Sequence, residues 1–120
     1  MSAETDLRAV LIAASGVTAL VPAVRIAMHA VTQDSDLPLI VYTAQRTREH
    51  GLDNSLHAEG LTYDAQCWGE TPASAEAVAD AVEAALSANG DYLVTGRGSG
   101  FDEDLLLDVV TLTVERWLDT

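Results

Sequence analysis

The chain has 120 residues, of which 48% are hydrophobic. That length is typical of one domain, here residues 1–120, with a single core that needs neither disulfides nor metal. Nineteen acidic residues stand against six basic ones, all arginine, for a net charge of −13. Because the sequence has no cluster of basic residues, it excludes binding over a broad surface to the phosphate backbone of nucleic acids or to anionic membranes. The charge indicates either solubility with a codon bias towards arginine, or a surface past which DNA slides without sticking.

The single cysteine, Cys67, excludes an intrachain disulfide, and its place in a strand-like run predicts a small core residue. The first residues lack the basic and then apolar pattern of a signal peptide. No apolar stretch approaches the roughly 20 residues that a membrane span needs. We therefore expect a soluble protein that is made in a reducing cytoplasm and has no membrane partner.

The first predicted element is a helix over Glu4 to Ala14, because its apolar residues recur at helical spacing. A further apolar turn follows over Val17 to Val21, where a proline ends it. A short strand is then predicted over Arg25 to Val31, and a polar turn over 33–36. The next strand is predicted over Leu37 to Thr47, with its proline near the start, where a missing N–H is tolerated.

Residues Arg46 to Gly60 are polar and separate two strand-like runs. We interpret them as a long loop or as the extended arm of a hairpin, since loops above about 12 residues in small domains are usually functional or mobile. His50, Asp53, His57 and Glu59 lie in this segment, but their spacing matches no zinc or calcium template. The favoured interpretation is that they are ordinary solvated residues.

Apolar residues occupy every second position from Leu61 to Cys67, which predicts a strand over Leu61 to Trp68 with one buried face. Thr71 is expected to cap a second helix that runs from Pro72 to about Ala88. One side of this helix carries a row of carboxylates with the spacing i, i+4 and i+7, namely Glu76, Asp80 and Glu83. The sequence indicates no cation to pair with that row, so a small repulsive cost is predicted.

The remaining residues predict a short strand over Asp91 to Gly96 and a flexible glycine-rich connection over Gly96 to Gly100. An acidic turn over Phe101 to Asp104 and a last strand over Leu105 to Trp117 follow. The predicted order is α-β-β-β-α-β-β. It indicates an α+β fold, a mainly antiparallel sheet packed by two helices, with a long polar hairpin loop.

Catalytic signatures are weak, and we predict no catalytic, cofactor or metal site. The glycine-rich segment Gly96 to Gly100 precedes a strand, whereas a phosphate-binding loop needs a helix after it. The carboxylates Asp102 to Asp104 lie in a turn with no visible apolar pocket to shift a pKa. No serine or cysteine has a placed histidine partner.

The two tryptophans are more informative. Trp68 falls on the opposite face from the apolar residues of its strand, and Trp117 ends the last strand. Each tryptophan either packs under a helix or serves as an amphipathic anchor at a subunit boundary, where this residue type is enriched.

The order of these segments resembles the tail terminator, or tail completion, proteins of siphophages over nearly the whole chain. Two segments carry most of the resemblance, Pro38 to Tyr42 and Gln66 to Trp68 leading into the alanine-rich helix. Other matching segments are Asp6–Leu11, Val17–Val21, Arg25–Ile26, Ala75–Val82 and Val109–Val114.

The resemblance implies a non-enzymatic virion protein without a cofactor. Its homo-oligomer, a six-membered ring, would stop growth of the tail tube at the head-proximal end. The ring would present the surface onto which the filled head joins, and DNA would pass through its hole without sequence-specific binding. The implied partners are the tail tube protein and a head-completion or connector protein. The implied location is the neck region of the virion tail, after assembly in the host cytoplasm.

A ring requires each subunit to offer one patch to a different patch on its neighbour. Arg46 and Arg48 are scarce cations, and pairing them with a neighbour's carboxylates would offset repulsion between acidic subunits. The residues that we predict at a subunit or partner interface are Arg46, Arg48, Glu49, His50, Asp53, His57, Arg97 and Trp117. Two alternatives remain at this stage: another neck component such as a connector, and a small acidic enzyme or ligand-binding domain that uses His50, Asp53 and His57.

Overall fold

The computed structural model describes the backbone of residues 3–27, 37–50 and 56–119, and the side chains of 6–26, 37–45 and 60–116. The helices are α1 (Ala3–Ala13), α2 (Ser15–Thr18) and α3 (Pro72–Ala88), with a 3-10 turn at Ala23–Arg25. The strands are β1 (Ile26–Ala27), β2 (Leu39–His50), β3 (Leu56–Gly69), β4 (Leu93–Asp102) and β5 (Leu107–Asp119). This order confirms the predicted α+β arrangement. Among the described residues, none of the helices combines the length and apolarity that crossing a membrane requires.

The strands form one sheet in the order β1-β2-β3-β5-β4. Strand β1 is two residues long and runs parallel to β2. The other three pairings, β2 with β3, β3 with β5 and β5 with β4, are antiparallel. Strand β4 therefore lies at one end of the sheet, and β2 is next to the short β1 at the other.

The main core lies between one face of the sheet and the helices. Alternate residues of β3 and β5 point into it, as the sequence pattern predicts, because successive side chains in a strand point to opposite faces. Each buried large apolar side chain contributes roughly 1.5–3 kcal/mol. The core residues of these strands are Leu61, Tyr63, Ala65, Cys67, Val110, Leu112 and Val114, and they meet Val78, Val82 and Leu86 of α3 and Leu7 and Leu11 of α1.

Helix α3 begins where the sequence predicts. The hydroxyl of Thr71 accepts a hydrogen bond from the backbone N–H of Ser74 at 3.1 Å, and Pro72 occupies the first turn. The helix start lies so close to β3 that a Cβ at Gly69 would approach the backbone nitrogen of Ala75 to 2.7 Å. Glycine at this position therefore allows the tight strand-to-helix connection.

A second, smaller apolar cluster covers part of the opposite sheet face. Its buried members are Leu39, Val41, Trp68 and Leu107, with Leu37, Leu105 and Val109 packed beside them. All of these residues come from strands or the segments adjoining them, so in the described structure Trp68 is not buried beneath a helix. The side chain of Trp117 lies outside the described part of the chain.

The prediction of a flexible glycine-rich connection was wrong. Residues Gly96 to Gly100 belong to β4, which pairs with β5 as far as Asp102, opposite Leu107. The weak strand propensity of glycine is outweighed by continuous pairing with a long neighbour. The turn accordingly lies at residues 103–106 instead of the predicted Phe101 to Asp104, and β5 begins at Leu107 instead of Leu105.

The polar segment that we interpreted as a loop or a hairpin arm is largely strand. Strands β2 and β3 stay paired as far as His50 and Leu56, and residues 51–55, which include Asp53, lie outside the described residues. Fourteen residues of β3 span roughly 46 Å, whereas the seventeen of α3 span roughly 25 Å. The ladder therefore extends beyond the helical layer, and we call residues 46–50 and 56–60 the arm.

Candidate functional site

The acidic row on α3 meets a cation that the sequence did not indicate. The guanidinium group of Arg97 on β4 lies 2.9 Å from the carboxylate of Asp80 and 3.2 Å from that of Glu83, and it also pairs with Glu76. The hydroxyl of Ser99 donates a further hydrogen bond to Glu76 at 2.7 Å. We call Glu76, Asp80, Glu83 and Arg97 the Arg97 cluster. The prediction of an unpaired row was wrong.

Strand register explains how this cluster forms. Arg97 is opposite Leu112 of β5, whose buried side chain faces the helices. Arg97 therefore projects from the helix side of the sheet, towards α3. Glu76 and Arg97 are 21 positions apart in the chain, and only a strand through the glycine-rich segment brings them together. The alternation of glycine with Arg97 and Ser99 is the signal that a period-2 analysis of this segment offers.

The cluster stays acidic at neutral pH. The hydrogen bond from Ser99, and then the contacts with Arg97, hold the pKa of Glu76 below its ordinary value. The same contacts, led by the hydrogen bond to Glu76, raise the pKa of Arg97 and keep it charged. Three carboxylates nevertheless share one guanidinium group. Because the side chain of Asp80 is 71% exposed, this face of α3 remains open to a further cation.

A second arginine forms a cluster further along β5. The Arg116 guanidinium donates to the hydroxyl of Tyr92 at 3.3 Å and to the carboxylate of Asp6 at 3.5 Å. Its carbon is 5.2 Å from the centre of the Tyr92 ring. The rings of Tyr63 and Tyr92 are 5.9 Å apart, and burial raises the pKa of Tyr63 to about 12. We call Asp6, Tyr63, Tyr92 and Arg116 the Arg116 cluster.

The Arg116 cluster is structural. It joins α1 to β5 beside the main core, and its arginine side chain is only 18% exposed. Burial acts to lower the pKa of Arg116, but the surrounding tyrosines and Asp6 outweigh it and raise that pKa. The raised pKa values keep Tyr63 protonated and Arg116 charged near neutral pH, so the contacts of Arg116 with Asp6 and Tyr92 persist there.

The two ends of the described sheet differ. Among the described residues, β4 pairs with β5 alone, and most of its side chains are exposed. At the other end, the two-residue β1 pairs with β2 at Ile40 and Val41. Exposed edges with unpaired backbone groups are templates for pairing with another chain.

The β4 edge also carries exposed apolar side chains. Phe101 is 54% exposed, and Leu106 in the turn after β4 is 65% exposed. Leu106 has a φ of 58°, a left-handed conformation that is costly for a leucine without a compensating role. This end of the sheet therefore combines exposed apolar area with a locally strained turn.

One groove in the described surface is poorly suited to a small substrate. A shallow groove between α1 and the end of α3 is lined mainly by the alanines at 9, 13, 14, 85 and 88. It lacks the convergent polar groups that fix a ligand in a pocket. Among the described residues, no three His, Cys, Asp or Glu side chains are arranged to hold a metal ion. Burial raises the pKa of Cys67 to about 12, which makes it a poor nucleophile.

The predicted interface residues divide into two groups. Arg97 is described, and the structure places it among carboxylates of its own chain. Arg46, Arg48, Glu49 and His50 lie on β2, His57 on β3 and Trp117 on β5, but their side chains lie outside the described part, as Asp53 does entirely. Glu76, Asp80 and Glu83 were missing from that prediction, because their significance depends on a contact between distant parts of the chain.

Comparisons with known proteins show which family the chain belongs to. Residues 5–119 match the family model of tail completion protein gp17. The structure is similar to a chain from the virion of a native gene transfer agent particle, with a TM-score of 0.74 and 13% identity, covering 99% of this chain and 96% of that one. At that identity the similarity concerns the fold. No curated protein sequence gives a significant match. The chain therefore belongs to the family of tail completion protein gp17, and it is a structural protein of the phage virion, located in the tail or neck.

Proposed function

We propose that this protein assembles with copies of itself into a ring at the head-proximal end of a phage tail tube. The ring ends tail polymerisation, provides the surface that joins the head, and leaves a central channel for DNA. The family match over residues 5–119 supports a tail structural role. The observation that carries the finer assignment is a sheet whose two ends differ, with the exposed strand β4 at one end and the two-residue β1 beside β2 at the other.

A closed ring needs two complementary but different surfaces on every subunit. One copy of this chain offers two different surfaces at the two ends of its sheet, where β1 and β4 are the outermost described strands. The arm adds a ladder that extends beyond the helical layer, and an extension of this kind reaches naturally to a neighbouring subunit. The two ends of the sheet make surfaces for protein contacts, whereas the shallow groove is a poor site for a substrate.

The charge of the chain fits a channel for DNA. At −13 per subunit, a ring accumulates a strongly negative potential. Carboxylates that line a channel repel phosphates, so DNA passes without being held, and no base-specific contact is required. Subunit contacts must at the same time overcome repulsion between acidic neighbours, which gives the few arginines a role at the interfaces. Six subunits per ring is the number that we propose from the family resemblance.

Electron microscopy of tail tubes assembled with and without the purified protein tests this function. We expect capped tubes of fixed length in its presence, and rings with six-fold symmetry at their ends. The measurements belong at physiological salt, because low salt exaggerates repulsion between acidic subunits. Uncapped tubes of unchanged length would refute the proposal. Binding to the portal end of filled heads without any effect on tubes would instead identify another neck component.

A further inference from the structure

We propose that the exposed edge of β4 binds an extended, basic segment of another virion protein, which adds to the sheet as a further strand beside the Arg97 cluster. Strand addition to an exposed sheet edge is a common mode of peptide recognition, since backbone hydrogen bonds supply affinity and side chains supply specificity. This contact lies outside the proposed ring function and does not depend on it. A subunit that holds such a segment still presents different surfaces at the two ends of its sheet.

The edge of β4 is exposed along most of its regular length. Pairing with β5 is regular from Gly96 to Asp102, a stretch of seven residues. The five consecutive residues from Arg97 to Phe101 are all exposed, so the described part of the chain leaves this edge uncovered. Seven residues exceed the usual strand length of about five or six, so the edge is long enough for a stable added strand.

One side of this edge is bare backbone. Gly98 and Gly100 lie opposite Thr111 and Val109, on the sheet face that points away from the helices. A Cβ at Gly98 would have nothing within 4 Å, and a Cβ at Gly100 would make only an ordinary contact. Internal packing therefore does not require glycine at these positions. The bare backbone lets the side chains of an added strand lie close to the sheet.

The other side of the edge is acidic. Arg97 is the only cation of β4, and it is shared by three carboxylates of α3. The side chains of Glu76 and Glu83 are each 42% exposed and that of Asp80 is 71% exposed, so all three remain accessible from solvent. Exposed acidic residues flank β4 as well, namely Asp91 and Glu103. Charge complementarity therefore indicates a basic occupant.

Distances within a sheet bring the cations of an added strand to these carboxylates. Directly opposite residues of paired strands have Cβ atoms about 4.5–5.5 Å apart. A side chain opposite Arg97 thus starts beside a guanidinium group that is 2.9 Å from Asp80 and 3.2 Å from Glu83. The next side chain on the same face lies opposite Ser99, whose hydroxyl is 2.7 Å from Glu76. Arginine or lysine at these two alternate positions reaches carboxylates that now share one cation.

A third position completes the motif of the segment. Phe101 follows Arg97 and Ser99 on the same face of β4, and it is 54% exposed. An apolar side chain opposite Phe101 removes part of the ring from water, which favours binding. The segment therefore carries two basic side chains and one apolar side chain at successive alternate positions, and its intervening side chains lie over the glycines.

Charge disfavours a second copy of this chain as the occupant. Of the six arginines, the four whose side chains are described are all engaged within their own subunit. Arg97 and Arg116 pair with carboxylates, whereas Arg8 and Arg25 donate to backbone carbonyls. Pairing of β4 with β4 of a second copy would also bring two acidic rows to one interface, where like charges repel.

Binding of designed peptides to the purified chain tests the inference. The probes are a fluorescent peptide of sequence Thr-Arg-Thr-Arg-Thr-Val-Thr and its reverse, which present the motif to β4 in the parallel and the antiparallel direction. One control replaces arginine with citrulline, which has nearly the same shape and no charge. A second control is methylated at every backbone amide, which removes the hydrogen bonds of a strand and keeps the charge.

We expect one of the two basic peptides to bind at least tenfold more tightly than both of its controls, as measured by fluorescence anisotropy at physiological salt. The bound peptide should slow hydrogen exchange of backbone amides within Gly96–Asp102. The double substitution of Asp80→Asn with Glu83→Gln should weaken binding at least tenfold. Glu70→Gln, which removes an exposed carboxylate outside the cluster, is the matched control and should leave binding unchanged.

Three outcomes would overturn the inference. The first is that neither basic peptide binds more tightly than its citrulline and methylated controls. The second is binding that leaves hydrogen exchange in β4 unchanged. The third is slowed exchange in β4 of the protein alone as its concentration rises, which would identify a second copy of this chain as the occupant.

Discussion

The two arginine clusters have similar chemistry and different surroundings. Arg97 contacts three carboxylates on one helix, and these are 42–71% exposed. Arg116 contacts Asp6 and Tyr92, and its own side chain is 18% exposed. Water screens the first cluster and is largely excluded from the second. The Arg116 cluster is therefore part of what holds the fold together, whereas the Arg97 cluster keeps negative charge available at a sheet edge.

This difference in exposure, more than the number of contacts, decides how much each cluster contributes to the stability of the fold. An exposed ion pair contributes little to folding, since each charge is well solvated in the unfolded chain too. Removal of a partly buried arginine leaves the polar groups that it contacts unpaired inside the protein, which costs more. The same residue type can thus stabilise the fold at one site and contribute little to stability at another.

The largest expected effect on stability comes from Arg116→Met. We expect it to lower the free energy of unfolding by about 2–4 kcal/mol, because the carboxylate of Asp6 and the hydroxyl of Tyr92 lose their donor in a partly buried site. Urea denaturation monitored by tryptophan fluorescence measures it. The matched control, Arg97→Met, should change the free energy of unfolding by about 1 kcal/mol or less. Equal losses of unfolding free energy in the two variants would contradict the conclusion that the Arg116 cluster stabilises the fold more than the Arg97 cluster does.

A smaller effect is expected from Tyr92→Phe, which removes only the hydroxyl that accepts from Arg116. The free energy of unfolding should fall by about 0.5–1.5 kcal/mol, the usual range for one hydrogen bond. In a chain that already carries Arg116→Met, the same substitution should cost clearly less, because the donor is absent. Urea denaturation of the original chain, the two single variants and the double variant measures the coupling between the Tyr92 hydroxyl and Arg116. Strict additivity would show that the hydroxyl and the arginine act independently.

The smallest expected effect is on the pH dependence of stability, through Glu76. The folded-state pKa of Glu76 lies below its ordinary value of 4.5, so the unfolded chain binds the proton more readily. The resulting stability is fully present above about pH 4.5 and is lost as pH falls through the lower folded-state pKa. Glu76→Gln should therefore reduce the urea midpoint at pH 7, and the difference from the original chain should shrink towards pH 3. The matched control is Glu70→Gln, which removes an exposed carboxylate outside the cluster. A difference in urea midpoint between Glu76→Gln and the original chain that grows as pH falls would contradict a lowered pKa for Glu76.

Much of the fold could be predicted from the sequence because its signals are local. Thr71 and Pro72 mark the start of α3 by capping chemistry, and the alternation from Leu61 to Trp68 assigns the buried face of β3 without knowledge of any neighbour. The polar segment from Arg46 left two interpretations open, and the β2–β3 ladder as far as His50 and Leu56 favours the arm.

The candidate site was predicted less well. The sequence predicts Arg97 as an interface residue, and that role stays a prediction. Its predicted setting in a flexible connection was wrong, and the acidic row was assigned no partner. Glycine-rich segments have weak local preferences, so neighbouring strands decide their conformation. Pairing with β5 makes this segment a strand, and only then does Arg97 reach α3.

By itself, the sequence determined the order of the main elements, the core face of β3, and the strong negative charge. These follow from periodicity, caps and composition, which act within a few residues. The tertiary structure alone decided which strand lies at the exposed edge of the sheet, which carboxylates share Arg97, and how little of Arg116 is exposed. Those properties depend on strand order and register, which bring together residues 14 or more positions apart and have no signature in any single segment.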